Sequence, residues 1–174
     1  MLHYKETNPN KALEYAFNII SESEDTPSPF LVGIYGAVGD ILSNKELNAD
    51  ALNYYLKALQ LFKAVPENKR KYKKINYPPY LLVSIGNVYF NEKDYEKAEE
   101  KYLDALNNFN LIKDDAIKLE GSCTVYDNIG LINIIKKNYK KADSLYNLSY
   151  KNRLTENKPK NIIYSLLTKS RLAF

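Results

Sequence analysis

The stretch that decides the fold lies at residues 82–105 and reads LVSIGNVYFNEKDYEKAEEKYLDA. Its glycine, Gly86, is followed by an alanine, Ala98, twelve residues later. Ala98, Tyr102 and Ala105 stand at i, i+4 and i+7, which places them on one face of an α-helix. The small residues Gly86 and Ala98 therefore predict two helices that pack closely and are joined by a short turn.

The same spacing occurs three times along the chain. In each copy an alanine follows the glycine by 12 residues, a tyrosine by 16 and a second small residue by 19: Gly39, Ala51, Tyr55 and Ala58; Gly86, Ala98, Tyr102 and Ala105; Gly130, Ala142, Tyr146 and Ser149. Repetition of one helix-turn-helix unit is typical of proteins in which each repeat packs on its neighbours. The sequence therefore predicts an all-α array of antiparallel helix pairs.

These residues resemble the tetratricopeptide repeat (TPR), a helix-turn-helix unit of about 34 residues. The middle copy carries the resemblance best, with Leu82, Ile85-Gly86, Tyr89, Ala98, Tyr102 and Ala105 in place, whereas the other copies depart at Leu42, Asn133 and Ser149. The resemblance implies a right-handed superhelical solenoid. The glycine-to-glycine steps of 47 and 44 residues are longer than the family's usual repeat and are similar to those in the sensory regions of bacterial histidine kinases and helix-turn-helix regulators.

Organisation along the chain follows from these repeats. We expect a single TPR-like array over 1–174, with a half repeat at 9–23, full repeats at about 29–64, 79–111 and 116–154, and a half repeat at 161–174. Solenoids normally end in polar capping repeats, and neither end of this sequence has the pattern of one. We therefore expect the chain to be a piece of a longer protein.

Composition excludes most catalytic chemistry. The chain contains one cysteine, Cys123, and one histidine, His3, so it offers neither an intrachain disulfide nor a thiolate metal cage. It also lacks a P-loop, a dinucleotide-binding fingerprint and a zinc-protease motif. No apolar run reaches the 18 residues of a membrane span. We expect a protein that is not an enzyme, takes no metal or cofactor, and does not insert this segment into a membrane.

Candidate binding residues follow from the resemblance, because the first helices of TPR pairs line a concave surface. Counting along each first helix gives eight residues in the middle and third copies: Tyr80, Val83, Asn87, Phe90, Thr124, Asp127, Leu131 and Ile134. The first copy contributes Gly33, Gly36, Asp40 and Ser43. The set mixes polar and aromatic side chains, as a peptide groove does. The alternative is that about half of them pack between repeats.

Two further features have a structural and a functional interpretation. Gly33, Gly36 and Gly39 form a stripe on one helix, which favours close packing over backbone exposed at a ligand groove. The connector 69–74 carries a basic run, Lys69, Arg70, Lys71, Lys73 and Lys74, which favours a solvated loop over nucleic-acid contact. Nucleic acid is therefore the least favoured partner.

The leading hypothesis is a non-enzymatic scaffold that binds a protein, a peptide or a neighbouring domain of its own chain. By resemblance, it would be the sensory or ligand-binding segment of a bacterial signal-transduction protein, either a histidine kinase or a transcriptional regulator. The alternative is a structural module that self-associates, as a homodimer, through uncapped ends. The sequence does not decide between two cellular compartments. The chain would be cytoplasmic, or extracytoplasmic as the sensory segment of a membrane kinase.

Overall fold

The computed structural model describes residues 8–23, 26–70, 78–156 and 159–170, and the regular structure in these ranges is helical. The α-helices are α1 (Pro9–Glu22), α2 (Pro29–Asn44), α3 (Asn48–Ala64), α4 (Pro78–Asn91), α5 (Tyr95–Asn110), α6 (Asp115–Ile135), α7 (Tyr139–Glu156) and α8 (Pro159–Ser170), with a 3₁₀ turn at Glu67–Lys69. Within each of the two compact units described below, helices that follow one another in the sequence pack together. The predicted all-α, TPR-like fold of helix pairs is confirmed.

Polar side chains fix where several helices begin. Asn8 accepts a hydrogen bond from the backbone N–H of Lys11, and Ser28 accepts one from Leu31, each at 3.1 Å. Asp114 caps α6 in the same way through the N–H of Ile117 at 3.0 Å. These caps satisfy N–H groups that a helix leaves without partners in its first turn.

Three turns end their helices with the same hydrogen-bond pattern. Glu46, Lys93 and Lys137 have positive φ angles of 62°, 62° and 59°. After α4, the N–H of Lys93 donates to the carbonyl of Phe90 and the N–H of Asp94 donates to that of Tyr89. The turns after α2 and α6 repeat this Schellman arrangement. Each left-handed residue lies seven positions after the repeated glycine, so the turn belongs to the repeat.

The chain divides into two compact units, Met1–Asp94 and Tyr95–Phe174. In the first unit α2 is the most apolar helix and packs against α1, α3 and α4. Its core is built from aliphatic and aromatic side chains, including Leu31, Val32, Val38, Tyr55, Val65, Leu81 and Ile85. In the second unit α6 packs against α5 and α7, and α8 packs against α7.

Two of the repeated glycines, Gly39 and Gly130, provide space for tyrosine rings. A Cβ placed on Gly39 would lie 2.6 Å from Cε1 of Tyr55, and one on Gly130 would lie 2.5 Å from Cε1 of Tyr146. Both distances are shorter than real Cβ atoms show, so only glycine admits the ring at this depth. In these two copies, residues 16 positions apart in the sequence are therefore in direct contact between the two helices of a pair.

Candidate partner-binding faces

Four of the predicted binding residues lie on α4, in the first unit. Asn87 is exposed, Tyr80 and Phe90 are half-buried, and Val83 is buried among the core side chains. Helix α4 carries no charged residue between Pro78 and Asn91. Of these four residues, the amide and the two aromatic side chains are thus accessible, while Val83 belongs to the core.

Two of the residues predicted from the first copy, Asp40 and Ser43 of α2, lie in a polar cluster that also includes a residue of α4. The Tyr55 hydroxyl, from α3, donates to Asp40 Oδ1 on α2 at 2.8 Å. The hydroxyls of Ser43 on α2 and Ser84 on α4 lie near the same phenol. Burial and then the Asp40 carboxylate raise the pKa of Tyr55 far above its usual value, so the phenol keeps its proton. We call Asp40, Ser43, Tyr55 and Ser84 the Asp40 cluster.

The other four predicted residues lie on α6, in the second unit. Thr124, Leu131 and Ile134 are half-buried, and the Thr124 hydroxyl donates to the carbonyl of Glu120 at 3.0 Å. Asp127 is only 4% exposed and its Oδ2 lies 2.6 Å from Nη1 of Arg153 on α7. A carboxylate placed in this way holds an internal guanidinium.

Arg153 is the centre of a buried polar network that the sequence analysis missed. Its Nη1 donates to the hydroxyls of Ser149 at 3.0 Å and Ser165 at 2.7 Å, besides pairing with Asp127. Ser149 in turn donates to the carbonyl of Cys123 at 3.4 Å. The feature of the sequence that could have indicated this network is the rarity of arginine, which occurs only three times among 25 basic residues. We call Asp127, Ser149, Arg153 and Ser165 the Arg153 network.

Surface lysines and glutamates of the second unit pair with each other. Lys136 Nζ lies 2.9 Å from a carboxylate oxygen of Glu96 and 3.5 Å from one of Glu99, and Lys141 Nζ donates to Glu99 at 2.8 Å. The hydrogen bond with Glu96 raises the pKa of Lys136. These ion pairs connect the helix ends of α5, α6 and α7, but exposed pairs contribute little stability.

The predicted basic connector is described only in its first part. Lys71, Lys73 and Lys74 lie outside the described residues. Lys69 is exposed, whereas the Arg70 guanidinium lies 5.1 Å from the Phe62 ring and donates to the Val65 carbonyl at 3.0 Å. Arg70 therefore serves the packing of the segment that follows α3.

A cleft of about 300 Å³ lies beside the α2–α3 pair. Its lining combines two aliphatic residues with Pro27, Tyr35, Lys57 and Gln60. The Tyr35 ring packs against Tyr54, which also contacts Phe17 and Lys57. The volume is at the lower limit for small-molecule pockets, and the lining shows no convergent set of polar groups.

Metal and membrane sites are lacking in the described part of the chain. Within residues 8–23, 26–70, 78–156 and 159–170, no three His, Cys, Asp or Glu side chains are placed to hold a metal ion. None of the helices described there is long and apolar enough to span a membrane.

Comparisons with known proteins agree with the helix pairs. A family model described as the tetratricopeptide repeat matches residues 79–108. No curated protein matches the chain. Among solved structures, the chain is similar to the crystal structure of BtubC (BKLC) from P. vanneervenii, with 17% sequence identity and a TM-score of 0.74 over 98% of this chain and 67% of that one. At that identity the likeness shows the fold alone.

Proposed function

Because this chain is a tetratricopeptide-type repeat protein, we propose that it is a non-enzymatic scaffold that binds a protein or peptide through the first helices of its pairs. The observation that carries the proposal is the accessible face of α4, where the exposed amide of Asn87 stands between the half-buried rings of Tyr80 and Phe90. Aromatic side chains supply contact area, and an amide can pair with the backbone of an extended peptide.

The second unit contributes Thr124, Leu131 and Ile134 to the proposal. These half-buried side chains on α6 offer aliphatic area and a hydroxyl. Val83 and Asp127 support the binding residues from the core, since both are buried. The predicted set thus narrows to six residues that a partner can reach: Tyr80, Asn87, Phe90, Thr124, Leu131 and Ile134.

A displayed library of random peptides tests the proposal. Peptides selected on the full chain should bind the Asn87→Ala and Phe90→Ala variants at least about fivefold more weakly, the effect of losing about 1 kcal/mol of contact. The control variant is Lys151→Ala, which changes an exposed residue of α7. All variants should keep the wild-type helical signal in circular dichroism. Selected peptides that bind the Asn87→Ala and Phe90→Ala variants as tightly as they bind the wild type would contradict the proposal.

As the finer form of this function, we propose that the chain is the sensory or ligand-binding segment of a bacterial signal-transduction protein. The support is the length of its repeats, with glycine-to-glycine steps of 47 and 44 residues. The sequence of the complete gene is the test. A histidine-kinase or helix-turn-helix domain in the same polypeptide would support this role, and its absence would contradict it.

Self-association is a second candidate function, favoured by one face of α8. Ile163, Leu166 and Leu167 are 57%, 50% and 64% exposed, which is high for three large aliphatic side chains so close together. A homodimer formed there should be lost in a Leu166→Glu/Leu167→Glu variant. Sedimentation velocity over a range of protein concentrations distinguishes the two states. A wild-type chain that stays monomeric at high concentration would rule out this candidate.

A further inference from the structure

A row of aromatic rings leads to the cleft beside the α2–α3 pair. The ring centroids of Phe17 on α1 and Tyr54 on α3 lie 6.0 Å apart, and those of Tyr54 and Tyr35 on α2 lie 5.9 Å apart. Tyr35 also lines the cleft. Aromatic pairs are favourable at centroid separations of about 4.5–7 Å, beyond the effect of the area that they bury. A further ring placed in the cleft beside Tyr35 would therefore continue an existing row.

The walls of the cleft suit the side chain of a peptide better than a free small molecule. The cleft has a volume of about 300 Å³, and most of the described residues that line it carry rings or aliphatic groups: Pro27, Tyr35, Leu61 and Ala64. A small molecule needs several polar groups to fix its orientation. A peptide side chain is oriented by its own backbone, so apolar contact suffices. Aromatic side chains supply that contact over a large area with only two rotatable bonds.

Lys57 gives the cleft a positive charge. It is the one charged residue among the six described residues that line the cleft. Lys57 is exposed, and its ammonium lies 5.7 Å from the ring centroid of Tyr54, three residues earlier on the same helix face. This contact holds the charge beside the row of rings, where the cleft meets solvent. A partner that matches the cleft in charge therefore carries a carboxylate next to its ring.

We propose that this cleft binds an aromatic side chain of a peptide or protein partner, and that an acidic residue adjacent to it in the partner sequence pairs with Lys57. This inference rests on the proposed scaffold function and adds a contact surface on α2 and α3 to the accessible face of α4. The ring supplies most of the affinity, because its burial removes a large apolar area from water. The carboxylate selects among ring-bearing sequences, because an exposed ion pair contributes only a little affinity.

The test uses synthetic peptide pools, acetylated and amidated at their ends, in which two adjacent central residues are fixed and the other positions are random. The fixed pairs are Phe-Glu, Phe-Gln, Phe-Lys and Ala-Glu, each in both orders, and binding to the full chain is measured by fluorescence polarisation. We expect the Phe-Glu pools to bind about tenfold more tightly than the Ala-Glu pools, the effect of losing a buried ring. They should bind about threefold more tightly than the Phe-Gln pools, the effect of an exposed ion pair. The Phe-Lys pools should be the weakest of those that contain phenylalanine.

Two further arms identify the source of the carboxylate and the nature of its effect. Peptides that end in phenylalanine are compared with free and with amidated C-termini. If only those with a free C-terminus bind, the chain terminus supplies the charge, and the proposal of an acidic side chain is overturned. In about 1 M salt, where the screening length is about 3 Å, the advantage of Phe-Glu over Phe-Gln should disappear while the advantage over Ala-Glu persists.

Two variants separate the contribution of the ring from that of the charge. Ala64→Phe fills the cleft with a ring of the chain itself and should remove the advantage of Phe-Glu over Ala-Glu. Lys57→Met keeps an unbranched side chain over Tyr54 without the charge, so it should bind the Phe-Glu and Phe-Gln pools equally. The matched controls are Asn53→Phe and Lys63→Met, at exposed positions of α3 that do not line the cleft. Wild-type preferences that survive in Ala64→Phe and Lys57→Met would overturn the proposal.

A measurement on the wild-type chain does not depend on the folding of the variants. The methyl resonances of Leu61 should shift when a Phe-Glu peptide is added and stay unchanged with its Ala-Glu counterpart. Equal binding of all pools, or of none, would overturn the cleft proposal and leave the scaffold function standing. The scaffold function is overturned as well only if the library of random peptides yields no peptide whose binding depends on Asn87 or Phe90.

Discussion

At Gly130, a single methyl group decides whether two helices can pack. Replacing a helical glycine by alanine at an exposed position stabilises a protein by about 1 kcal/mol. Here the new Cβ would lie 2.5 Å from Cε1 of Tyr146, so either the ring or the helix must shift. We expect Gly130→Ala to lower the free energy of unfolding by about 1–3 kcal/mol, as overpacking does. Urea denaturation measures the change.

The Tyr146 ring causes the expected loss of stability in Gly130→Ala, so a variant that lacks the ring provides the control. In a Tyr146→Leu background the collision is removed, and Gly130→Ala should cost less than it does in the wild type. Equal costs in both backgrounds would show that the ring does not explain the glycine.

The left-handed turn residues should behave in the opposite way. Lys137 has a φ of 59°. In this left-handed conformation, a residue other than glycine lowers the stability of the fold by about 1 kcal/mol. Lys137→Gly should therefore raise the free energy of unfolding by up to about 1 kcal/mol. Lys151→Gly is the matched control, because Lys151 is an exposed residue inside α7 and the same change should destabilise there. Thermal melts of the two variants should move in opposite directions.

The residue pattern predicted these contacts only in part. The recurrence of glycine, alanine and tyrosine indicated small residues at a close approach. The specific partner of Gly39, the Tyr55 ring, depends on how far two helices are rotated about their axes. Similarly, spacing does not reveal a positive φ at Glu46, Lys93 or Lys137, because none of them is a glycine or an asparagine.

Among the helices, α8 is joined to α6 and α7 by the Arg153 network. Arg153 on α7 bonds Ser165 on α8 and pairs with Asp127 on α6, so one guanidinium joins three helices. Removing one member of a buried ion pair leaves the other charge uncompensated, at a cost of about 3–5 kcal/mol. We expect Arg153→Leu to destabilise the second unit by that amount in chemical denaturation.

Removing both charges distinguishes the ion pair from ordinary packing. The double variant Asp127→Leu/Arg153→Leu should recover most of the lost stability, because no buried charge remains. Ser165→Ala should have a smaller effect, of about 1 kcal/mol, the net contribution of one hydrogen bond. A double variant as unstable as Arg153→Leu would contradict this account of the network.

Helix positions were the most predictable part of the molecule. The predicted repeats began at residues 9 and 29, and α1 and α2 begin at those two positions, each of which is a proline. The Arg153 network depends instead on contacts among residues 127, 153 and 165, which no local rule connects. For the same reason the burial of Asp127 did not follow from its position on the predicted inner face.

For the whole chain, the division into Met1–Asp94 and Tyr95–Phe174 predicts local responses to mutation. In repeat proteins each segment is stabilised mainly by its immediate neighbours. Gly130→Ala should therefore reduce the hydrogen-exchange protection of α6 and α7 more than that of α2 and α3. Exchange measured by mass spectrometry resolves these segments. A uniform loss of protection throughout the chain would contradict the prediction.

The proposed binding faces show the limit of reasoning from a family pattern. The count along the first helices selected Asn87, Tyr80 and Phe90, which are accessible on α4. It equally selected Val83, which is buried, because a position in a repeat does not record the neighbouring side chains. The orientation of Asp40 by Tyr55 became visible only once α2 and α3 were placed side by side.

The enclosed phenols of this chain also have an optical consequence. The chain contains 16 tyrosines and no tryptophan, so its near-ultraviolet absorption comes from phenol rings. Burial raises the pKa of Tyr55 and Tyr102 far above the usual value of about 10. Their contribution to stability is complete below that value and is lost as the pH rises above it, since the unfolded chain ionises first. In an alkaline titration, exposed rings should give an early, reversible tyrosinate signal, and the enclosed rings a later one that coincides with loss of helix.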